Sequence, residues 1–196
     1  MRHKIYPIIF LILTIAVSIF LHFRSENIAD SDSFYHFRHA DIYRRSGLMI
    51  SEFPWIAYSV IKEFASDIWY GFHVFLIPFT FLKDQVLGIK IAGTFLTATL
   101  LIILYWSLAK LKVSKKYFWP FLALFAAPNV LFHFAMTRPH ILSTAFAILL
   151  FAFLARGGII GVFLTSFVSS FAHLGLIWMV LFVFGVTALA KFFAEK

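Results

Sequence analysis

The sequence predicts an all-α polytopic membrane protein of about six transmembrane helices, and three observations carry that reading. Hydrophobic side chains make up 62% of the 196 residues and charged ones only 13%, about half the charged share of an ordinary soluble domain. Long apolar stretches recur from end to end, broken by short polar or basic segments, as expected of helices that cross a hydrocarbon layer about 30 Å thick. The cations gather at alternate ends of those stretches, the asymmetry that orients membrane helices. One membrane domain, 1–196, is the economical division. The net charge of +8 is then a topology signal, and no nucleic-acid partner is expected. The chain has no cysteine, which excludes disulfides and thiol chemistry.

The first apolar run, Tyr6 to about Phe23, follows Arg2, His3 and Lys4. It is longer than a signal-peptide core, and no small-residue cleavage site follows between Leu21 and Glu26, so it reads as a membrane helix. Further spans are expected at about Gly88–Ala109, Tyr117–Ala135, Ile141–Ala155, Gly158–Ala172 and Leu174–Ala190. The 27 phenylalanines suit lipid-facing packing.

Ile68–Leu82 is apolar but only about fifteen residues long, short for a span. Charge decides between the alternatives. If this segment does not cross, one side holds Arg2, Lys4, Lys110, Lys112, Lys115, Lys116, Arg156, Lys191 and Lys196 against the single acid Glu195, which is the whole +8 of the chain. The other side then carries as many acids as cations. If it crosses, the lysine-rich loop Lys110–Lys116 moves to the opposite face and the asymmetry inverts. Six spans with both termini cytoplasmic are therefore expected, in the inner (cytoplasmic) membrane of a bacterium.

This topology leaves a long outer loop from Arg24 to about Leu87, far longer than a connection requires. A helix is expected from about Ser33 to Ser46, with Asp32 as its N-cap and Gly47 as its stop. Asp67 is placed to cap a second, interfacial helix over Ile68–Leu82, with Trp69, Tyr70 and His73 near the headgroups and Pro78 bending or ending it. Both are amphipathic juxtamembrane elements. Apart from His3, every histidine (His22, His36, His39, His73, His133, His140 and His173) falls on the outer side or in the outer end of a span. The turns at Arg138–His140 and at His173 should meet the Asp30/Asp32 loop there. Polar groups at such depth mark functional sites, whereas interfacial His and Arg also contact lipid phosphates with no further role.

Asp30-Ser-Asp32-Ser-Phe-Tyr-His36, opening a long first outer loop after one transmembrane helix, resembles the GT-C superfamily of polyprenyl-phosphate-sugar-dependent glycosyltransferases. Asp32-Ser33-Phe34-Tyr35 is similar to the loop aspartate and aromatics of oligosaccharyltransferase catalytic subunits. Phe53-Pro54-Trp55, the Asp67 to His73 spacing with Pro78, and Arg138-Pro139-His140 are similar to the outer-loop pattern of bacterial members. The resemblance implies transfer of a sugar from a polyprenyl-phosphate carrier to an acceptor on the outer face. Members of the superfamily have more spans and a longer C-terminal part, so it also implies a short member completed by a partner subunit. The second outer turn offers Arg138 and His140 where oligosaccharyltransferases have acids, which favours a metal-independent mechanism.

The chemistry assigns roles. An acceptor hydroxyl must lose its proton as it attacks the sugar C1, and a membrane-surface carboxylate can take it: Asp32, with Asp30 as the alternative. A lipid phosphate leaves, and Arg138, His140, His73 and Arg38 are the groups to stabilise it. Asp67 and His173 complete the candidate substrate-binding set. No cofactor is required. The rival is a divalent metal on Asp32, His36 and His39, at i, i+4 and i+7 of a helix. His36-x-x-His39 lacks the glutamate of the metalloprotease motif. From a different class, a transporter or non-catalytic membrane subunit would use the same cations to bind an anionic lipid or solute.

Overall fold

The computed structural model describes residues 2–49, 58, 62 and 67–194, and among these all regular structure is helical. The Phe53-Pro54-Trp55 motif lies outside the described residues. Four helices are long and apolar enough to cross a membrane: α1 (Arg2–Phe23), α4 (Gln85–Lys110), α7 (Pro139–Arg156) and α9 (Ile177–Ala194) together with its leading turn Leu174–Leu176. That is consistent with an integral membrane protein. Helices α4 and α7 form the centre, with α1 against α4, while α9 leaves Leu181, Phe182, Leu189 and Phe193 exposed along its length.

The other segments are shorter. Between α1 and α4 lie α2 (Asp32–Ser46) and α3 (Tyr70–Leu76), the latter tightening into a 3₁₀ turn at Ile77–Phe81. Pro78 sits in that turn, where its missing N–H and fixed φ fit. The expected span Tyr117–Ala135 is two short helices, α5 (Trp119–Leu124) and α6 (Pro128–Phe134). Pro128 accounts for the break, because it disfavours the helical conformation at Ala127, which is extended at φ −154, ψ 149. Helix α8 (Ile159–Ala172) has 14 residues and packs on α7.

Contacts divide the elements between two ends. At one, Phe10 meets Tyr105 at 4.7 Å between ring centroids, Tyr105 stacks on Tyr117 at 5.0 Å, and Lys191 Nζ donates to the Leu154 carbonyl at 3.1 Å. At the other, Thr137 Oγ1 donates to the Ile89 carbonyl at 3.2 Å, Leu174 N–H to the Ile68 carbonyl at 2.9 Å, and Lys90 Nζ to the Ser25 carbonyl at 2.5 Å. Residues 24–49, 67–84, 135–140 and 173 therefore share one end.

That end is closely packed. Ala40, Phe72, Leu76, Ala92, Leu96, Ile141, Ala145 and Ala172 form one buried core joining α2, α3, α4, α7 and α8. Gly71 permits the approach of α3 to α8: a Cβ there would fall 2.5 Å from the Phe171 carbonyl oxygen. Helix α2 stops at Gly47, whose φ of 96 is open to glycine, and its N–H returns to the Tyr43 carbonyl. The expected N-cap is corrected. Ser31 occupies the N-cap position, and the Asp30 carboxylate takes the Ser33 N–H at 3.2 Å, so Asp32 lies within the first helical turn. One residue of register accounts for the difference, since the helix starts at Asp32 rather than Ser33.

Candidate functional site

Two polar clusters lie at this end, both built on α2. In the first, Arg138 stands extended just before Pro139 and α7, the conformation a residue preceding proline prefers. Its Nε donates to Asp30 Oδ2 at 2.8 Å, and its Nη2 lies 2.8 Å from Asp32 Oδ2. Asp30 also accepts the Ser33 hydroxyl at 2.6 Å, and Ser33 Oγ in turn accepts the Thr137 N–H at 3.1 Å. These bonds staple residues 30–33 to 137–138 across more than a hundred residues of sequence. The two carboxylates differ in exposure: the Asp30 side chain is 7% exposed and that of Asp32 is 55%.

The second cluster is buried and centred on Asp67. Its Oδ1 accepts the Trp69 N–H at 2.9 Å, a local turn before α3; the expected Asp67 cap is corrected, because Trp69 occupies the N-cap position and the helix starts at Tyr70. Oδ2 accepts Tyr43 OH at 2.8 Å and lies 2.6 Å from His73 Nδ1 and 3.7 Å from His39 Nε2. His73 Nε2 is 2.8 Å from His36 Nδ1. Trp69 Nε1–H donates to His173 Nε2 at 3.2 Å, which ties the α8–α9 turn to the cluster. Burial opposes ionisation of Asp67, but the bonds from His73 and the Trp69 amide outweigh it and hold the pKa below the ordinary carboxylate value. Burial, with His73 adding to it, pushes His36 and His39 below the ordinary histidine value. Burial and then Asp67 push Tyr35 up to about 12 and raise Tyr43 as well.

The structure divides the candidates. Asp30, Asp32 and Arg138 converge, and so do His36, His39, Asp67 and His73. His140 is half-buried beside His133, with ring centroids 5.7 Å apart, and its buried Nε2 has no hydrogen-bond partner among the described residues. Arg38 belongs to neither cluster: it is 65% exposed and pairs with Asp41, which also holds Arg44 and Arg45. The metal set read from sequence is corrected, because Asp32 turns to Arg138 while His36 and His39 turn to Asp67 and His73. The group that could hold a metal ion is His39, Asp67 and His73, whose ligand atoms lie within 4.8 Å of one another. His39 and His73 are stacked, centroids 4.2 Å apart and planes 15° apart. A ring nitrogen binds metal along its own plane, so one ring would have to turn before both could reach a single ion.

Ser33, Tyr43 and Trp69 are the site residues that sequence reasoning missed. Tyr43 was within reach of it, since His36, His39 and Tyr43 follow at i, i+3 and i+7 and form one buried stripe of α2. Ser33 and Trp69 act through bonds set by tertiary approach. No family model, no curated protein and no solved structure matches this chain.

Proposed function

We propose that this chain is a membrane glycosyltransferase of the GT-C kind, moving a sugar from a polyprenyl-phosphate carrier to an acceptor hydroxyl, with Asp32 as general base. The observation that carries this reading is the unequal state of two carboxylates around one guanidinium. Asp30 is buried and its oxygens are taken by Ser33 and Arg138, so it positions the loop. Asp32 is over half exposed with one ionic partner. Two carboxylates against one cation leave a surplus negative charge, and it resides on the group that solvent and substrate can reach. Arg138 spends Nε and Nη2 on the aspartates and keeps other donors for a phosphate oxygen.

Six crossings, with both termini on the cytoplasmic side, fit the division of contacts between two ends, with α5 and α6 together as a broken span and α8 as a short one. The basic residues and histidines of the long helices (Arg2, His3, Lys4, His22, Lys90, Lys110, His140, Arg156, Lys191) lie toward their ends. A transporter carries such groups near the bilayer midplane, so their placement supports surface chemistry on a lipid-linked substrate over transport.

Transfer of a labelled sugar from polyprenyl-phosphate in liposomes tests the reading. Asp32→Asn keeps the shape but cannot accept the proton, and should lower the rate about a hundredfold to ten-thousandfold with carrier binding retained. Full activity of Asp32→Asn ends the general-base assignment. An inactive, folded wild type, with or without added partner subunits, favours a non-catalytic lipid-binding subunit.

A further inference from the structure

Where α1 ends and α4 begins, the loop 24–29 encloses a cavity of about 190 Å³. That is far more than the roughly 10–15 Å³ one water needs and less than the roughly 300–1,000 Å³ of sites for drug-sized molecules. It is a size for a small polar group. His22, Ile89 and Lys90 are buried in its wall, whereas Arg24, Ser25 and Asn27 are exposed, so the cavity opens on the loop side. The wall is fixed in place: Thr97 Oγ1 donates to the Phe134 carbonyl at 2.9 Å and lies 3.0 Å from His22 Nε2, and Gly93 leaves the space that the His22 ring fills.

Charge around this cavity is one-sided. Lys90 is 8% exposed, so it has not carried its ammonium out to water as lysines near the ends of membrane helices do. Two of its three N–H groups go to the Ser25 carbonyl at 2.5 Å and the Glu26 carbonyl at 3.0 Å, and Nζ lies 5.7 Å from the centre of the Phe23 ring. None of these partners carries a formal charge. A buried ammonium calls for an anion, yet among the described residues neither Lys90 nor Arg24 pairs with a carboxylate. The other arginines of this end, Arg38, Arg44, Arg45 and Arg138, each do. Glu26, the acid nearest in sequence, is exposed and its carboxylate pairs with neither cation.

We infer that this cavity is a binding site for a phosphate group, held by the Lys90 ammonium at its wall and the Arg24 guanidinium at its mouth. The donors suit that ligand: a guanidinium forks onto two phosphate oxygens, and the ammonium has one N–H left for a third. The place suits it as well, since the ends of membrane helices lie at the level where lipid headgroups carry their phosphates. Two sources share this chemistry, the headgroup of an anionic phospholipid and free phosphate. The site is separate from the Arg138 cluster, although Thr137 touches both, lining the cavity and donating its N–H to Ser33 Oγ. It does not depend on the sugar-transfer reading.

The full chain in a neutral maltoside detergent, stripped of lipid, provides the test. One titration adds inorganic phosphate and is read by calorimetry. A second adds phosphatidylglycerol and is read by native mass spectrometry, with diacylglycerol, which lacks the phosphate, as control. Saturable binding of either probe is expected, and the tighter of the two names the source. Lys90→Met should weaken it about tenfold or more, the loss of a buried charge-assisted contact, and Arg24→Gln about threefold or more, the loss of an exposed one. The Arg24 side chain makes no hydrogen bond or ion pair, so Arg24→Gln keeps the fold and decides the case even where Lys90→Met, which strips two carbonyls of their donor, unfolds. Failure of both probes to bind the wild type would overturn the site. So would wild-type affinity in Arg24→Gln: with a loss in Lys90→Met it makes Lys90 a staple for the loop, and with a loss in Arg138→Lys it puts the phosphate at the other cluster. Inactivity in the transfer assay bears on sugar transfer alone.

Discussion

The Arg138 cluster and the Asp67 cluster use the same materials, carboxylates and basic side chains anchored on α2, and differ in burial. Around Arg138 the charges are strong and one of them is open: Asp32 is 55% exposed, and the pair it makes is weakened by solvent. Around Asp67 there is a single carboxylate, 3% exposed at its side chain, and its partners are the hydroxyl of Tyr43, an amide and two histidines. Its charge is stabilised by direction rather than by opposite charge. Burial thus separates two tasks. The open cluster is within reach of solvent and of any molecule at the surface, and the closed one holds donors in fixed orientations.

The largest test of that contrast is stability. Asp67→Ala removes the acceptor of Tyr43 OH, the Trp69 N–H and His73 Nδ1 together, and each buried donor left unsatisfied costs about 1–3 kcal/mol. The terms share one site and do not simply add, so a loss of about 3–5 kcal/mol is expected. Asp32→Ala, by contrast, should cost less than about 1 kcal/mol. Unfolding of both variants in one detergent, followed by tryptophan fluorescence, measures the difference. Equal losses would erase the distinction between the clusters.

A second test sharpens the open side. Arg138→Lys keeps the charge but loses the planar fork that spans Asp30 and Asp32. Polyprenyl-phosphate binding should weaken by about 1.5–3 kcal/mol, the worth of one charge-assisted hydrogen bond to the phosphate, while the spectra of the Asp67 histidines stay unchanged. Unaltered binding would make Arg138 a loop staple only.

Acid provides the third, through the closed side. Asp67 has a lowered folded pKa, so its contribution is complete above its unfolded value of about 3.9 and is lost as pH falls through the lower folded value. His39 is lowered to about 4, so its contribution is complete above about 6.5, where both states are neutral, and declines between 6.5 and 4 as only the unfolded chain takes up the proton. His36 acts in the same direction. The melting temperature should therefore fall steadily below about pH 6.5. His39→Gln should make that decline shallower, and an identical slope would show that His39 is charged when folded.

How much of this was legible in the sequence follows from which interactions are local. The helical class, the four helices long and apolar enough to cross a membrane (α1, α4, α7 and α9) and the Gly47 stop depend on nearby residues and were readable. The break at Pro128 was readable too but was outweighed by the hydropathy of Tyr117–Ala135. Side-chain direction was not. A helical stripe through Asp32, His36 and His39 is sound as spacing, yet Asp32 sits in the first turn, where Arg138 from a distant loop captures it, and the true stripe runs through His36, His39 and Tyr43. The pairing of Asp67 with His73 was suggested by their spacing, while the bond from His73 to His36 spans 37 residues and exists only after α3 packs on α2.

The smallest expected effect is also the one that asks whether α2 has a third functional face. Arg38 was expected to stabilise the leaving phosphate, but it is 65% exposed and turned toward Asp41. Asp41 keeps Arg44 at 2.6 Å and Arg45 at 3.1 Å when Arg38 is removed, so no buried charge is uncovered. An exposed i,i+3 pair contributes about 0.3–0.5 kcal/mol. Arg38→Ala should therefore shift the melting temperature by no more than a degree or two and leave carrier affinity within about twofold, against the larger losses of Arg138→Lys in the same assay. A loss of affinity as large as that of Arg138→Lys would mean that the phosphate lies along the exposed side of α2, on the Arg38 face, and not at the junction of the 30–33 and 137–138 segments. The comparison of the two arginines in one titration thus locates the anion on α2 to within about two helical turns.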